Sequence, residues 1–200
     1  MIQARSNPTR LVIYGAGGHG LVVAEAAEAA GYQVVGFIDD APSQSIITRW
    51  PVSTAEEFQE ELATYIVAIG ENVLRQSATN KLTAEGVKIE TVIHPSAHIS
   101  SSAVIGSGVF VGPRAVVHGE AQIGNGAIIN SGVIVEHHCN IGAYVHLAPG
   151  SVLGGAVNIE PLTLVGLNAT ILPQVCIGSQ CIIGAGAVIR QNMADGEKSV

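Results

Sequence analysis

The sequence contains a group of residues suited to proton transfer. His137 and His138 directly follow Glu136, and His146 comes a little further along the chain. An imidazole titrates near neutral pH, so either neighbouring histidine could accept a proton from an attacking amine or hydroxyl group. The sequence has no nucleophile elbow and no Ser/His/Asp signature. This favours direct attack by the amine or hydroxyl group over a covalent enzyme intermediate.

A second set of candidate residues lies in a glycine-rich segment near the N-terminus. Residues 15–20 have the sequence GAGGHG, and they stand between a predicted strand at 11–14 and a predicted helix at 21–30. A further predicted strand at 34–38 ends in two aspartates. Backbone N–H groups at a glycine-rich helix N-terminus bind anions, and a carboxylate at the next strand end can bind a ribose. The pattern favours some phosphorylated ligand at this segment.

Two other interpretations of the glycine-rich segment stay open. It matches GxGxxG with an acidic residue about twenty positions on, which is the pattern of a nicotinamide dinucleotide site. A full dinucleotide fold usually needs two such halves, and residues 1–90 leave little room for the second. The glycines could also serve a tight turn alone.

The C-terminal half is governed by a repeat of six residues. From Ile93 to Ile189 every sixth position is Ile, Val or Leu, and the position four after each is small. This period fits neither a helix nor simple strand alternation, but it suits short strands joined by tight turns. Glycine often follows the aliphatic residue, where close turning of the backbone is expected. The pattern resembles the hexapeptide-repeat transferases, which implies a left-handed parallel β-helix with coils of eighteen residues.

Coils of eighteen residues place particular side chains in register. His137 would stack between Gly119 and Gly155, neither of which has a side chain to block a ligand. By the same arithmetic His138 stacks on Glu120, and His118 stacks on Glu136. Either carboxylate could support an imidazole.

The predicted organisation is an α/β Rossmann-like domain at 1–90 and an all-β left-handed parallel β-helix at 91–200. Within the first domain, Thr54 and Glu57 form a capping-box pattern that predicts a short helix. We also expect a strand at 65–69, a helix at 73–85 and a last strand at 87–93.

Composition excludes several classes of partner. The formal charge is −7, and nine Lys and Arg residues form no basic cluster, so we expect neither nucleic acid nor a membrane surface as a partner. Three cysteines without CxxC spacing predict neither disulfides nor a metal site. Polar residues interrupt the apolar segment after Arg10, so we do not expect it to be a signal sequence. We therefore expect a cytoplasmic protein.

Motifs in both halves together resemble one family. They are YGAGGHG at 14–20, FIDD at 37–40, VAIGEN at 67–72 with Arg75, IHPSA at 93–97, and Asn130 followed by EHHC at 136–139. In this order they resemble the sialic acid O-acetyltransferase-like sugar acetyltransferases, which include N-acetyltransferases for nucleotide-linked amino-deoxy sugars of the bacillosamine type. The resemblance implies acetyl-CoA as acetyl donor, a nucleotide sugar as acceptor and a homotrimer.

The resemblance also implies roles for individual residues. His137 would be the general base, in a catalytic group with His138 and Glu136. The coenzyme would lie between neighbouring β-helices, near His146, Gly155, Leu167 and Ala185. The sugar nucleotide would lie on the glycine-rich side of the N-terminal domain, with Asn130 near the sugar. Its other binding residues would be Gly17, Gly18, His19, Asp39, Asp40 and Gly70.

One departure from the family pattern concerns the general base. The family usually has an acidic residue directly after the catalytic histidine, where this sequence has His138. Sequence alone leaves open whether Glu120 or Glu136 replaces it, and whether the acceptor is an amino group or a hydroxyl group, as in sialic acid. A non-catalytic hexapeptide protein, or a metal-dependent one using His118, His137 and His146, is the alternative from another class.

Overall fold

The computed structural model describes residues 8–58 and 63–199. Its N-terminal part is a sheet of four parallel strands in the order β3-β2-β1-β4, with bounds β1 Arg10–Tyr14, β2 Gln33–Ile38, β3 Val52–Ser53 and β4 Thr64–Val67. A helix follows β1 (α1, Gly18–Ala29), a short 3₁₀ helix follows β2 (Pro42–Gln44), and a second α-helix follows β4 (α2, Asn72–Ala84).

The remainder is a parallel β-helix with three faces built from two-residue strands. Face 1 contains β5 Val92–Ile93, β8 Phe110–Val111, β11 Ile128–Ile129, β14 His146–Leu147, β17 Leu164–Val165, β20 Ile182–Ile183 and β22 Lys198–Ser199. Face 2 contains β6 His98–Ile99, β9 Val116–Val117, β12 Ile134–Val135, β15 Val152–Leu153, β18 Thr170–Ile171 and β21 Val188–Ile189. Face 3 contains β7 Val104–Ile105, β10 Gln122–Ile123, β13 Asn140–Ile141, β16 Asn158–Ile159 and β19 Cys176–Ile177. The predicted fold class is confirmed.

The sequence repeat explains the packing of the β-helix. Each aliphatic residue of the six-residue period is the second residue of a strand, and from Val111 to Ile189 these side chains are buried in one continuous core. The glycine that follows is needed for close approach: a Cβ on Gly124 would lie 2.6 Å from the backbone nitrogen of Ala143 in the next coil. The left-handed backbone conformation occurs two residues later, for example at Gly126 (φ 64°).

The two parts share a core. Residues on the outer surface of face 1, Phe110 and Ile128, are 2% and 1% exposed. They pack in one cluster with Val23 of α1 and Leu11 of β1. Burial of this apolar surface fixes α1 against face 1, and its N-terminal turn therefore lies close to the β-helix.

Two sequence predictions differ from the structure. The strand expected at 87–93 is wrong, because Val92–Ile93 pairs with face 1 and Ile89 makes only an isolated bridge to Tyr65. After Thr54 the described residues form turns, although the Thr54 backbone N–H donates to Glu57 Oε2 (3.2 Å). The rest of that predicted helix, 59–62, lies outside the described residues.

In the described ranges no helix is long and apolar enough to cross a membrane. The domain boundary near residue 90 stays a prediction.

Candidate active site

The four glycines of segment 15–20 have two different roles. Gly15 has φ +111°, and a Cβ on Gly20 would lie 2.2 Å from the Gly15 carbonyl oxygen, so both are required by the turn itself. Gly17 and Gly18 have no such requirement. Neither has a positive φ, and among the described residues no atom lies within 4 Å of an added Cβ. The space in front of them is open to a ligand.

The N-terminus of α1 is free to bind an anion. Among the described residues no side chain caps it, whereas at α2 the Glu71 carboxylate accepts from the backbone N–H groups of Val73 and Leu74 (3.1 and 2.6 Å). The first turn of a helix has N–H groups without intrahelical partners, and its dipole favours negative charge. A phosphate group would supply both oxygen acceptors for these N–H groups and the negative charge that the dipole favours.

The two aspartates after β2 are not equivalent. Asp39 accepts backbone hydrogen bonds at both oxygens, from Ala16 (2.8 Å) and Ala41 (2.9 Å), so it closes the turn around the glycines. Asp40 is exposed, and among the described residues its carboxylate accepts only a long hydrogen bond, from the Tyr14 hydroxyl (3.4 Å). Of the two predicted ligand-binding carboxylates, Asp40 is the one left open to a ligand.

His146 is held at the junction of the N-terminal sheet and the β-helix. Its Nδ1 lies 3.1 Å from the Gly70 carbonyl oxygen, and its Nε2 lies 3.3 Å from Asn130 Nδ2. The Asn130 Oδ1 already accepts from the Ser131 backbone N–H (2.8 Å), which assigns Nδ2 as the atom facing the ring. Since Nδ2 only donates, His146 Nε2 must accept and Nδ1 must carry the proton. The structure thus brings Gly70, Asn130 and His146 together.

His19 joins the glycine-rich turn to this junction. Its ring centroid lies 6.1 Å from that of His146 and 5.3 Å from that of Phe110. Its Nε2 is shielded from solvent and has no hydrogen-bond partner among the described residues. Burial, with the nearby His146 and Arg75, lowers the pKa of His19 to about 4. The ring is therefore neutral near pH 7 and has an unused polar atom.

His137 and His138 form a separate, exposed pair at the corner between faces 2 and 3. Their Nδ1 atoms lie 3.0 Å apart, and their rings are nearly perpendicular. The His137 ring lies over Gly155, where a Cβ would be 2.6 Å from its Cε1. The missing side chain at Gly155 therefore makes room for His137 itself.

The carboxylates of Glu120 and Glu136 do not lie beside the His137 ring. Glu136 Oε1 lies 3.7 Å from His118 Nε2, as the register predicts. Within the described ranges the Glu120 carboxylate forms no hydrogen bond or ion pair, although the His138 backbone N–H donates to the neighbouring Gly119 carbonyl (3.0 Å). The residue beside His137 is therefore His138.

Comparisons with known proteins give matches in both halves of the chain. The family model of the PglD N-terminal domain matches residues 10–82, and that of the bacterial transferase hexapeptide (six repeats) matches residues 120–155. A variant of perosamine N-acetyltransferase from Caulobacter crescentus, solved with CoA and GDP-perosamine, is 34% identical, with a TM-score of 0.89 over 98% of this chain and 94% of that chain.

Two other solved structures are similar along their whole length. The acetyltransferase domain of PglB from Neisseria gonorrhoeae, in complex with acetyl coenzyme A, is 36% identical, with a TM-score of 0.90 and 96% of each chain covered. WeeI from Acinetobacter baumannii is 26% identical, with a TM-score of 0.88 over 96% of this chain and 97% of that chain. The chain belongs to the nucleotide-linked amino-sugar acetyltransferases of the hexapeptide-repeat superfamily. It is an acetyl-CoA-dependent acetyltransferase, as the members of that family are.

The remaining predicted coenzyme residues of this acetyltransferase lie at the corner between faces 1 and 2. Leu167 is 53% exposed, and Ala185, which is exposed, follows it by one coil. The structure does not bring His137 and His146 together in one chain, because His146 is on face 1 and His137 is at the far edge of face 2. Among the described residues, no group of three or more His, Cys, Asp or Glu side chains is arranged to hold a metal ion.

The structural role of Arg75 in this acetyltransferase is not evident from the sequence. Arg75 belongs to a family motif, but its side chain is 1% exposed and donates to both halves of the protein. Only its motif membership signalled this role, because its partners in the β-helix are more than 50 residues away.

The two partly buried histidines of this acetyltransferase, His19 and His146, predict a pH-dependent stability. Burial lowers the pKa of both His19 and His146 from 6.5 to about 4. The unfolded chain therefore binds more protons between these values, so stability is full above about pH 6.5 and is lost as the pH falls towards 4. Between pH 7 and pH 5 each histidine should remove at most ~2 kcal/mol.

We expect the thermal midpoint to fall from pH 7 to pH 5 in calorimetry at fixed protein concentration, and to fall less in His146→Asn. A matched control is His94→Asn, since His94 accepts from the Ser96 backbone N–H in a partly exposed turn. An equal fall in His146→Asn and the unmodified protein would contradict the assignment.

Proposed function

We propose that the protein transfers the acetyl group of acetyl-CoA to the amino group of a nucleotide-linked amino-deoxy sugar. The ligands in the structure of the perosamine relative, CoA and GDP-perosamine, belong to this class of reaction. The observation that supports it in this chain is the proximity of the glycine-rich turn to Asn130 and His146. His19 follows Gly17 and Gly18, its ring centroid lies 6.1 Å from that of His146, and His146 in turn faces Asn130.

The proximity of the glycine-rich turn to Asn130 and His146 suits a ligand with two different ends. The diphosphate would lie on the uncapped N-terminus of α1, with the exposed Asp40 near the ribose. The amino sugar would then extend towards Asn130, beside the rings of His19 and His146. Neutral rings at His19 and His146 avoid repulsion of a cationic amine.

His137 is the proposed general base. A hydrogen bond between the two Nδ1 atoms requires one donor and one acceptor. If His137 donates, its Nε2 lone pair is free to take the proton of the sugar amine, and His138 fills the place of the family's acidic residue as an acceptor. The amine nitrogen attacks the thioester carbonyl, the C–S bond breaks, and His137 returns the proton to the CoA thiolate.

We expect the working enzyme to be a trimer, because within a single chain the proposed base, His137, lies far from the proposed acceptor site at Asn130. Face 2 lies between the corner with His137 and the corner with Asn130, and its outward side chains are mostly aliphatic; they are His98, Val116, Ile134, Val152, Thr170 and Val188. Val188 is 46% exposed in the single chain. A neighbour packed on this face would bring its own His137 to the acceptor site. Light scattering should give three times the chain mass of 20.5 kDa; a stable monomer at micromolar concentration would refute the proposal.

The proposed reaction is tested by thiol release from acetyl-CoA with a panel of nucleotide-linked sugars. The panel should vary the nucleotide and should pair each amino sugar with its hydroxyl analogue. Turnover with an amino sugar and none with its hydroxyl analogue supports N-acetylation. Turnover with hydroxyl acceptors alone would favour the O-acetyltransferase alternative, and no thiol release with any member would contradict the proposed substrate class.

A further inference from the structure

Arg75 is buried between the N-terminal sheet and the β-helix and uses all of its donors. Nε donates to the Gly126 carbonyl (2.8 Å), and one terminal nitrogen donates to the carbonyls of Ile69 and Gly70 (2.9 and 3.2 Å). The other terminal nitrogen donates to Asn72 Oδ1 (2.8 Å) and to the Tyr144 carbonyl (2.7 Å). A guanidinium has five N–H groups, so each one has an acceptor.

These contacts join α2 to successive coils of the β-helix. Gly126, Tyr144 and Leu162 occupy the same corner position in three consecutive coils, each with a left-handed backbone (φ 64°, 57° and 66°). Arg75 binds the first two carbonyls, and Asn72 Nδ2 donates to the third, that of Leu162 (2.8 Å). The N-terminal sheet is thereby fixed in position along the β-helix.

The acceptors of Arg75 are all uncharged, which makes the site costly. Burying a cation without a paired carboxylate is unfavourable, and burial lowers the pKa of Arg75 to about 10. An apolar side chain of similar volume would leave the carbonyls of Gly126, Tyr144, Ile69 and Gly70 without this donor. The guanidinium therefore both satisfies these carbonyls and fixes their positions relative to one another.

One of its acceptors connects Arg75 to the site. The Gly70 carbonyl accepts both from Arg75 and from His146 Nδ1 (3.1 Å). We propose that Arg75 is a positioning residue for acetyl transfer: it fixes the Gly70 carbonyl, which holds the His146 imidazole with its proton on Nδ1 and its Nε2 towards Asn130. This inference rests on the proposed function, in which His146 lies at the reacting groups.

A double-mutant cycle separates positioning from simple docking. Arg75→Lys keeps the charge but has fewer, differently directed donors, and it should lower kcat by ~10- to 100-fold, the range for a displaced reacting group. In a His146→Ala background the same change should cost less than ~3-fold, because residues that act through one another are not additive. Equal fold losses in both backgrounds would overturn the proposal.

Asn72→Ala is the matched control for docking. It removes the contact with Leu162 and one contact with Arg75 but leaves Arg75 bound to Gly70. We expect it to lower the thermal midpoint while kcat stays within ~3-fold, since the Gly70 carbonyl keeps both of its donors. A loss of kcat equal to that of Arg75→Lys would show that Arg75 serves docking alone.

A measurement on the unmodified protein does not depend on how the variants fold. With ¹⁵N-labelled histidine, assigned by comparison with His146→Ala, the spectrum at pH 7 should show a neutral His146 ring with the proton on Nδ1. A proton on Nε2, or an imidazolium, would overturn the proposal. This result needs no substrate, so it stands apart from the thiol-release assay, whose failure would contradict the proposed function instead.

Discussion

Replacing His137 with alanine should lower kcat by ~10²- to 10⁴-fold, which is the range for a lost general base. The ring is exposed and lies outside the core, so the variant should fold, and its thermal midpoint should change little. The measurement is steady-state thiol release at saturating acetyl-CoA and amino-sugar nucleotide, with calorimetry of the same preparations.

The neighbouring histidine provides the control. His138 has φ 59°, a left-handed conformation that Asn tolerates well. His138→Asn keeps an acceptor oxygen for His137 Nδ1–H, so its kcat should stay within ~10-fold of the unmodified enzyme. If His138→Asn is inactive while His137→Ala retains most of its activity, His138 is the base and the assignment is wrong.

Gly155→Ala tests the role of the proposed base, His137, without removing its side chain. The added Cβ would overlap the His137 ring, which is a movable side chain, so the ring should swing away at little cost to the fold. We expect kcat to fall while the thermal midpoint is kept. Full activity in Gly155→Ala would mean that the ring position seen here is not the working one.

The second large effect is expected at the helix N-terminus. Gly18→Leu should raise the KM for the nucleotide sugar by ~100-fold or more, because the new side chain fills the space proposed for the diphosphate. Its φ is not in the left-handed region, and Leu is a better helix former than Gly, so stability should be equal or higher. Calorimetric titration should show acetyl-CoA binding unchanged.

The control for this change lies at the other end of the same helix. Ala29 is exposed at the C-terminal end of α1, and Ala29→Leu adds a similar apolar group away from the proposed ligand. It should leave both KM values unchanged. An unchanged KM for the nucleotide sugar in Gly18→Leu would move the nucleotide away from the glycine-rich turn.

The β-helix could be predicted from the sequence because its information is local and repeated. An aliphatic residue every six positions from Ile93 to Ile189 specifies an inward side chain at each strand, and the structure has a strand at every one of these positions. The pairing of His118 with Glu136 followed from the same register. The prediction of a strand at 87–93 is wrong because Ile89 pairs with β4 of the N-terminal sheet, whereas Val92–Ile93 joins face 1 of the β-helix. Local propensity does not decide which of these two sheets a residue joins.

The candidate site needed the tertiary structure because its contacts join residues far apart in the chain. The sequence indicated His19, Asn130 and His146 separately, but only the packing of α1 on face 1 brings His19 to His146. The proton on His146 Nδ1 depends on Gly70, which is 76 residues away. The division of the glycines into turn residues and ligand space likewise depends on what surrounds each one. Composition and period determined the architecture, whereas burial and long-range hydrogen bonds decided the protonation and orientation of the side chains.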